Sequence, residues 1–287
     1  MNPSTVPADI YRMLMNKEVN PSADVEHIAD VFAAECRTAL VDALGAPQKR
    51  EGRLRMSSIG KPDRVIYNEY TGVEGEQLAG SDYIKFLYGH MVEALLIALT
   101  ELSGHEVTEK QKKVSVDGVN GSQDFRIDGV LADAKSASPY GFKKFATRQM
   151  PFDDPFGYVA QIKGYAAAEG DKQYGWLVMN KVNGELCWAG YDEDNLTAEE
   201  QDVMLYDIRD RITAVKKLVA EAIIPSICYS PEPDGKSGNM KLASGCSFCP
   251  YKAHCFPESR AFAYSYGIKY LTKVVKTPNV TEIVEGF

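Results

Sequence analysis

Residues 123–138, QDFRIDGVLADAKSAS, read as a tight hairpin, and that hairpin decides what core the chain can build around it. Strand-forming residues 125–128 run into Gly129, a turn residue, and a second strand covers 131–136. Side chains two apart on a strand share a face, so Asp133 and Lys135 point the same way. Pairing across the turn is expected to bring Asp128 alongside them. Two carboxylates in so small a volume repel each other unless a cation lies between them, and hard oxygen ligands select magnesium or manganese. A lysine beside such a cation can steady charge developing on a phosphate. The same residues also fit an ordinary charged surface hairpin, so the rest of the chain has to supply the remaining parts of a site.

A net charge of −8 argues against nonspecific attraction of the whole molecule to nucleic acid, but it leaves room for a local basic groove. The first residues lack a hydrophobic run after a basic start, and the apolar run ALLIAL is too short to cross a bilayer. The expectation is a cytoplasmic protein with no membrane segment. In that reducing setting six cysteines are metal ligands or buried thiols rather than disulfides.

In chain order, residues 25–44 carry apolar side chains at helical spacing, with Cys36 on the apolar face as a small buried group. A basic stretch follows, with Lys49, Arg50, Arg53, Arg55, Lys61 and Arg64, broken by Gly45, Pro47, Gly52 and Pro62. Residues 81–102 form a helix on which His90 and Glu93 share one face. Residues 106–119 read as a strand leading into the hairpin. Beyond it come Lys143, Lys144 and Arg148, then a helix presenting Gln161 and Tyr165 on one face. Asn183-Gly184 marks a second hairpin, with Cys187 in its return strand, and 198–222 reads as one long amphipathic helix. The expected division is an N-terminal helical segment over 1–50, a core over 51–222 and a cysteine-rich region over 223–287.

That last region holds Cys246, Cys249 and Cys255, with two and then five residues between them. Two thiolates so close can grip one metal or cluster, and the third leaves one ligand to find. Cys228 is the nearest candidate and Cys36 the distant one; His254 could replace a thiolate at a zinc site. Spacing alone does not choose between zinc and iron–sulfur.

Together these pieces resemble a known family. DGVLADAK resembles the active-site core of PD-(D/E)XK nucleases. Gly89-His90 on the preceding helix and Gln161 with Tyr165 on the following one resemble the flanking motifs of its RecB-like exonuclease branch. CSFCPYKAHC is similar to the iron–sulfur staple of CRISPR-associated adaptation nucleases and of AddB, and SSIGKPDR resembles a stretch of phage exonucleases of this branch. The resemblance implies an α/β fold, a mixed central sheet flanked by helices, with helical N-terminal and cysteine-cluster C-terminal additions. It implies that His90, Asp128, Asp133 and the carbonyl of Ala134 hold magnesium or manganese, that Lys135 is the catalytic lysine, and that Gln161 and Tyr165 position DNA or that lysine. It implies a 4Fe–4S cluster on Cys228, Cys246, Cys249 and Cys255, with structural zinc as the alternative. Asp133 stands where glutamate is commoner, and Lys61-Pro62-Asp63 stands where the first cluster cysteine usually follows. The implied activity is metal-dependent exonucleolytic hydrolysis of DNA in recombination, repair or phage DNA processing, without sequence preference, the basic stretches holding phosphates. A recombination partner protein is possible. The rivals are a structure-specific endonuclease on the same core and a non-catalytic DNA-binding or recombination-partner module with a structural metal.

Overall fold

The structure is a computed structural model that describes residues 1–45, 52–77, 80–265 and 267–283. Of the basic residues noted above, Lys49 and Arg50 lie outside the described residues. The helices are α1 (Val6–Asn16), α2 (Val25–Ala43), α3 (Asp63–Thr71), α4 (Gly80–Leu102), α5 (Pro139–Ala146), α6 (Tyr158–Glu169), α7 (Ala198–Met204), α8 (Ile208–Ala220), α9 (Ser244–Ser247) and α10 (Lys252–Cys255). The strands are β1 (Val107–Thr108), β2 (Lys113–Val116), β3 (Val119–Ser122), β4 (Phe125–Ile127), β5 (Val130–Ala137), β6 (Gln173–Asn180), β7 (Leu186–Asp192), β8 (Glu232–Pro233), β9 (Met240–Lys241), β10 (Arg260–Tyr264), β11 (Gly267–Lys273) and β12 (Thr281–Ile283). They form two compact units, one of Met1–Lys49, Leu54–Gly60 and Gly80–Ile212, the other of Arg50–Arg53, Lys61–Ala79 and Thr213–Phe287.

In the first unit the sheet order is β1-β4-β5-β6-β7, with β5 and β6 parallel and the other neighbours antiparallel. This is the mixed sheet expected from the sequence. Parallel strands need a crossover, here the segment containing α5 and α6. Ser138 starts α5 by accepting the Gly141 amide at 3.2 Å, with Pro139 at the first helical position. β6, between β5 and β7 in the sheet, is buried from Tyr174 to Asn180. On one face of the sheet Val92 and Leu96 of α4 and Val6 and Ile10 of α1 pack with Phe125, Ile127, Ala132 and Leu177. That packing is what makes α4 a core helix, although by length and composition alone it is apolar enough to cross a membrane, contrary to the reading of the sequence.

Two expected elements differ. The 106–119 segment is not one strand: β1 joins the main sheet, while β2 pairs with β3 in a separate two-stranded sheet. The long helix expected over 198–222 is broken between α7 and α8, because Asp207 accepts the Arg209 amide at 2.9 Å and so starts a new helix.

The second unit has its own antiparallel sheet, β12-β10-β11-β9-β8, over a core that includes Phe262 and Leu271, both fully buried. The 74–76 strap is tied to the cysteine segment: Glu76 N donates to Pro250 O at 2.7 Å, and Glu76 ion-pairs with Lys252.

Candidate active site

The β4–β5 register places the acids. Phe125 pairs with Ala132 and Ile127 with Val130, so Asp128 and Gly129 form a two-residue turn, both with positive φ (50° and 84°). One step beyond Phe125 and Ala132 come Asp124 and Asp133, side by side. Asp124 accepts the Ala134 amide at 2.9 Å, which fixes it there. Asp128, expected beside Asp133, sits at the opposite end of the hairpin, about 13 Å along the strand at ~3.3 Å per residue. Its carboxylate bonds to His105 Nδ1 at 2.7 Å and accepts the Glu106 amide at 3.1 Å, while His105 Nε2 reaches Asp9 at 3.0 Å. Asp128 therefore clasps the turn to α1 and does not enter the acid cluster. Asp124, not singled out from the sequence, takes its place.

Asp133 is buried, and Lys135, two residues on, forms an ion pair with it. Burial by itself pulls the Lys135 ammonium toward neutrality, but the Asp133 and Asp124 carboxylates outweigh it and hold the group charged. The ammonium lies 5.0 Å from the centre of the Tyr158 ring. Burial, then the Asp133 and Glu93 charges, push Asp124 well above the usual carboxylate range, while Lys135 and the Ala134 amide oppose this. Glu93 is raised by burial and by Asp133, against lowering by His90 and Lys135. Glu93 is thus in the cluster, and His90, exposed on the same face of α4, lies close enough to act on it. Gln161 donates to Tyr165 Oη at 3.1 Å. Burial raises the Tyr165 phenol to about 12, and Asp133, Asp124 and Lys135 all act on it, which sets Tyr165 at the same site.

These shifts carry a sign that can be tested in the metal-free protein. A carboxyl whose folded pKa is raised stabilises the fold at low pH, and that stability is lost as pH rises through the raised value. Metal-free Glu93→Gln is therefore expected to melt above the wild type at neutral pH, with the gap closing on acidification as Glu93 protonates. Thermal melts across pH with chelator present check this; a constant gap at every pH contradicts it.

The basic residues offered for phosphate binding are largely engaged elsewhere. Arg148 pairs with Glu200 at 2.7 Å and donates to Gly190 O at 2.6 Å. Lys144 pairs with Asp153 at 2.5 Å, Lys61 with Glu69 at 2.5 Å, and Arg64 donates to Pro225 O at 2.7 Å. Lys143 is exposed on α5.

In the second unit the thiols of Cys228, Cys246, Cys249 and Cys255 lie within electrostatic reach of one another. Burial, then Cys249, Cys228 and Cys255, raise Cys246 to about 11. Burial, then Cys255, raise Cys228, and burial, with Cys255 and Cys228, raises Cys249. Cys36 is on α2 in the first unit, where burial and Glu35 raise it, and Cys187 is pushed to about 12 by burial. His254 meets the Glu74 carbonyl through Nε2 at 2.8 Å, an engagement that competes with ligation. Among the described residues no three His, Cys, Asp or Glu side chains stand ready to hold a metal ion.

No family model matches the sequence, and no curated protein matches it. Solved structures similar to this one include the protein SSO0001, at 13% identity and a TM-score of 0.43 over 78% of this chain and 95% of that one. They include a phage-related exonuclease from Haemophilus somnus 129PT, at 15% identity and a TM-score of 0.42 over 60% of this chain and 95% of that one. An alkaline exonuclease from Laribacter hongkongensis is similar at 14% identity and a TM-score of 0.36, over 60% of this chain and 94% of that one.

Proposed function

We propose that the chain is a magnesium- or manganese-dependent deoxyribonuclease that hydrolyses DNA phosphodiester bonds, acting from strand ends as the sequence resemblance implies. The observation that carries this reading is Asp133. Its carboxylate is buried in a cluster with Asp124 and Glu93, and among the described residues it forms an ion pair with Lys135 while neither oxygen accepts a well-formed hydrogen bond. Buried carboxylates in such a cluster cost free energy unless a cation or a proton neutralises them. The donor set would fit a hard divalent ion: the Asp124, Asp133 and Glu93 carboxylates, with the Ala134 carbonyl and the His90 imidazole as further donors. Such an ion, when bound, supplies positive charge that polarises the phosphoryl group and favours ionisation of water.

The chain's own residues do the rest. Asp124, anchored on the Ala134 amide, and Asp133 would hold the cation from adjacent strands, with Glu93 of α4 as a third carboxylate. The Lys135 ammonium, kept charged, faces the negative charge that grows on the phosphate as water attacks phosphorus and the ester P–O bond breaks. Gln161 and Tyr165, bonded to each other, position the phosphate. Released products are a phosphomonoester and a hydroxyl end. In the second unit the four thiols disfavour one another's ionisation, a repulsion that a metal centre relieves. We assign them to a structural 4Fe–4S cluster, on the strength of the sequence resemblance. Incubation of end-labelled DNA with the purified protein tests the activity: progressive loss of labelled nucleotides with magnesium and none with chelator is expected. Equal DNA loss under both conditions, or none under either, contradicts it.

A further inference from the structure

Phe156 sits one ring away from the lysine of the acid cluster. The residue is 52% exposed. Its inner side meets Tyr158, with centroids 5.5 Å apart and planes 32° from parallel. The Tyr158 ring in turn lies beside the Lys135 ammonium, 5.0 Å from its centre. The exposed ring is thus continuous, through one aromatic contact, with the group that faces the phosphate.

The loop that carries it is built to hold still. Asp154 accepts the Gly157 amide at 2.9 Å and the Val159 amide at 2.8 Å, bracketing Phe156. Gly157 has φ 78°, and a Cβ there would come within 2.6 Å of the Gly60 Cα, so the backbone is pinned between two glycines. A ring fixed in advance loses little entropy when something stacks on it. A second aromatic, Tyr140, 70% exposed on α5, lies beside the same loop through Asp153, with the Lys144 ammonium 4.9 Å from its ring centre. Exposed rings next to a phosphate-facing lysine suit a strand that offers both bases and phosphates.

We propose that Phe156 stacks on an unpaired base next to the scissile phosphate, making single-stranded DNA the substrate class of this site. The proposal rests on the nuclease reading above. A base inside a duplex has both faces covered by its neighbours, whereas an unpaired base offers a face to a protein ring. The ring selects strand state without selecting sequence, since every base has a π-face.

Steady-state hydrolysis of a single-stranded oligonucleotide and of its duplex, by wild type, Phe156→Ala, Phe156→Leu and Phe156→Trp, tests this. On the single strand Phe156→Ala is expected to raise KM about tenfold, the scale of one lost base–aromatic stack, with kcat little changed. Phe156→Trp restores KM, and Phe156→Leu, apolar but without a ring, does not. A single abasic position moved along the strand raises the wild-type KM at one place only, and Phe156→Ala shows no added penalty there. An unchanged KM in Phe156→Ala, full function in Phe156→Leu, or an equal loss on an internally paired duplex overturns the proposal, the last pointing to a protein contact or to folding. Wild-type protein that hydrolyses no DNA removes the nuclease reading and this inference with it. Wild-type hydrolysis with an indifferent Phe156→Ala removes only the inference.

Discussion

Asp124→Asn should lower DNA hydrolysis at least about a thousandfold, the scale of removing charge at a reacting phosphate, whereas Asp128→Ala should leave kcat unaltered. The two residues lie four apart in one hairpin, and charge count alone does not separate them. Their surroundings do. Asp124 is lifted by burial and by Asp133, touches the field of Lys135, and is anchored on the Ala134 amide. Asparagine keeps that anchoring bond and removes only the charge, so the Asp124→Asn protein should fold. Asp128 meets His105, whose side chain is fully buried, at 2.7 Å, so truncation there should cost about 2 kcal/mol of stability through the partner left unsatisfied. Turnover on labelled DNA and chemical unfolding of both variants check this; a reversed pattern, with Asp128→Ala inactive and stable, returns the metal to the turn.

The second large effect belongs to the cysteines. Cys228→Ser should abolish iron and sulfide content, bleach absorbance near the visible edge, and unfold the second unit at lower temperature. Structural metal sites contribute on the order of 10 kcal/mol of folding free energy where the fold depends on them. The thiols of Cys246, Cys249 and Cys255 act on one another and on Cys228, and removal of one ligand leaves the rest repelling. Cys36→Ser should keep metal content intact. Colourless protein with one equivalent of zinc defeats the iron assignment and keeps the site. Metal lost in Cys36→Ser and retained in Cys228→Ser exchanges the fourth ligand.

Local signals in the chain suffice where local chemistry decides. The α4 helix, a turn at Gly129 and the β6–β7 hairpin all follow from short-range rules. The acid partner was misplaced at a step that the same rules could have corrected: counting back from a two-residue turn pairs Asp133 with Asp124, because strand register is fixed by the turn. Asp128 is nearer than Asp124 to Asp133 along the chain but not across the strands. Glu93 was visible only as the neighbour of His90, since its meeting with the hairpin depends on how α4 lies on the sheet. Phe156 has no sequence signal at all, for an apolar residue is ordinarily buried and its exposure is a tertiary fact. The break between α7 and α8 was hidden because both pieces keep helical periodicity across it.

Manganese binding in the absence of DNA tests the central claim most directly. Titration calorimetry of the purified protein in chelator-treated buffer should show a carboxylate-held site in the wild type that is lost in Asp124→Asn and in Asp133→Ala and retained in Asp128→Ala. Binding untouched by the Asp124 and Asp133 substitutions, or abolished by the Asp128 substitution alone, would contradict the account.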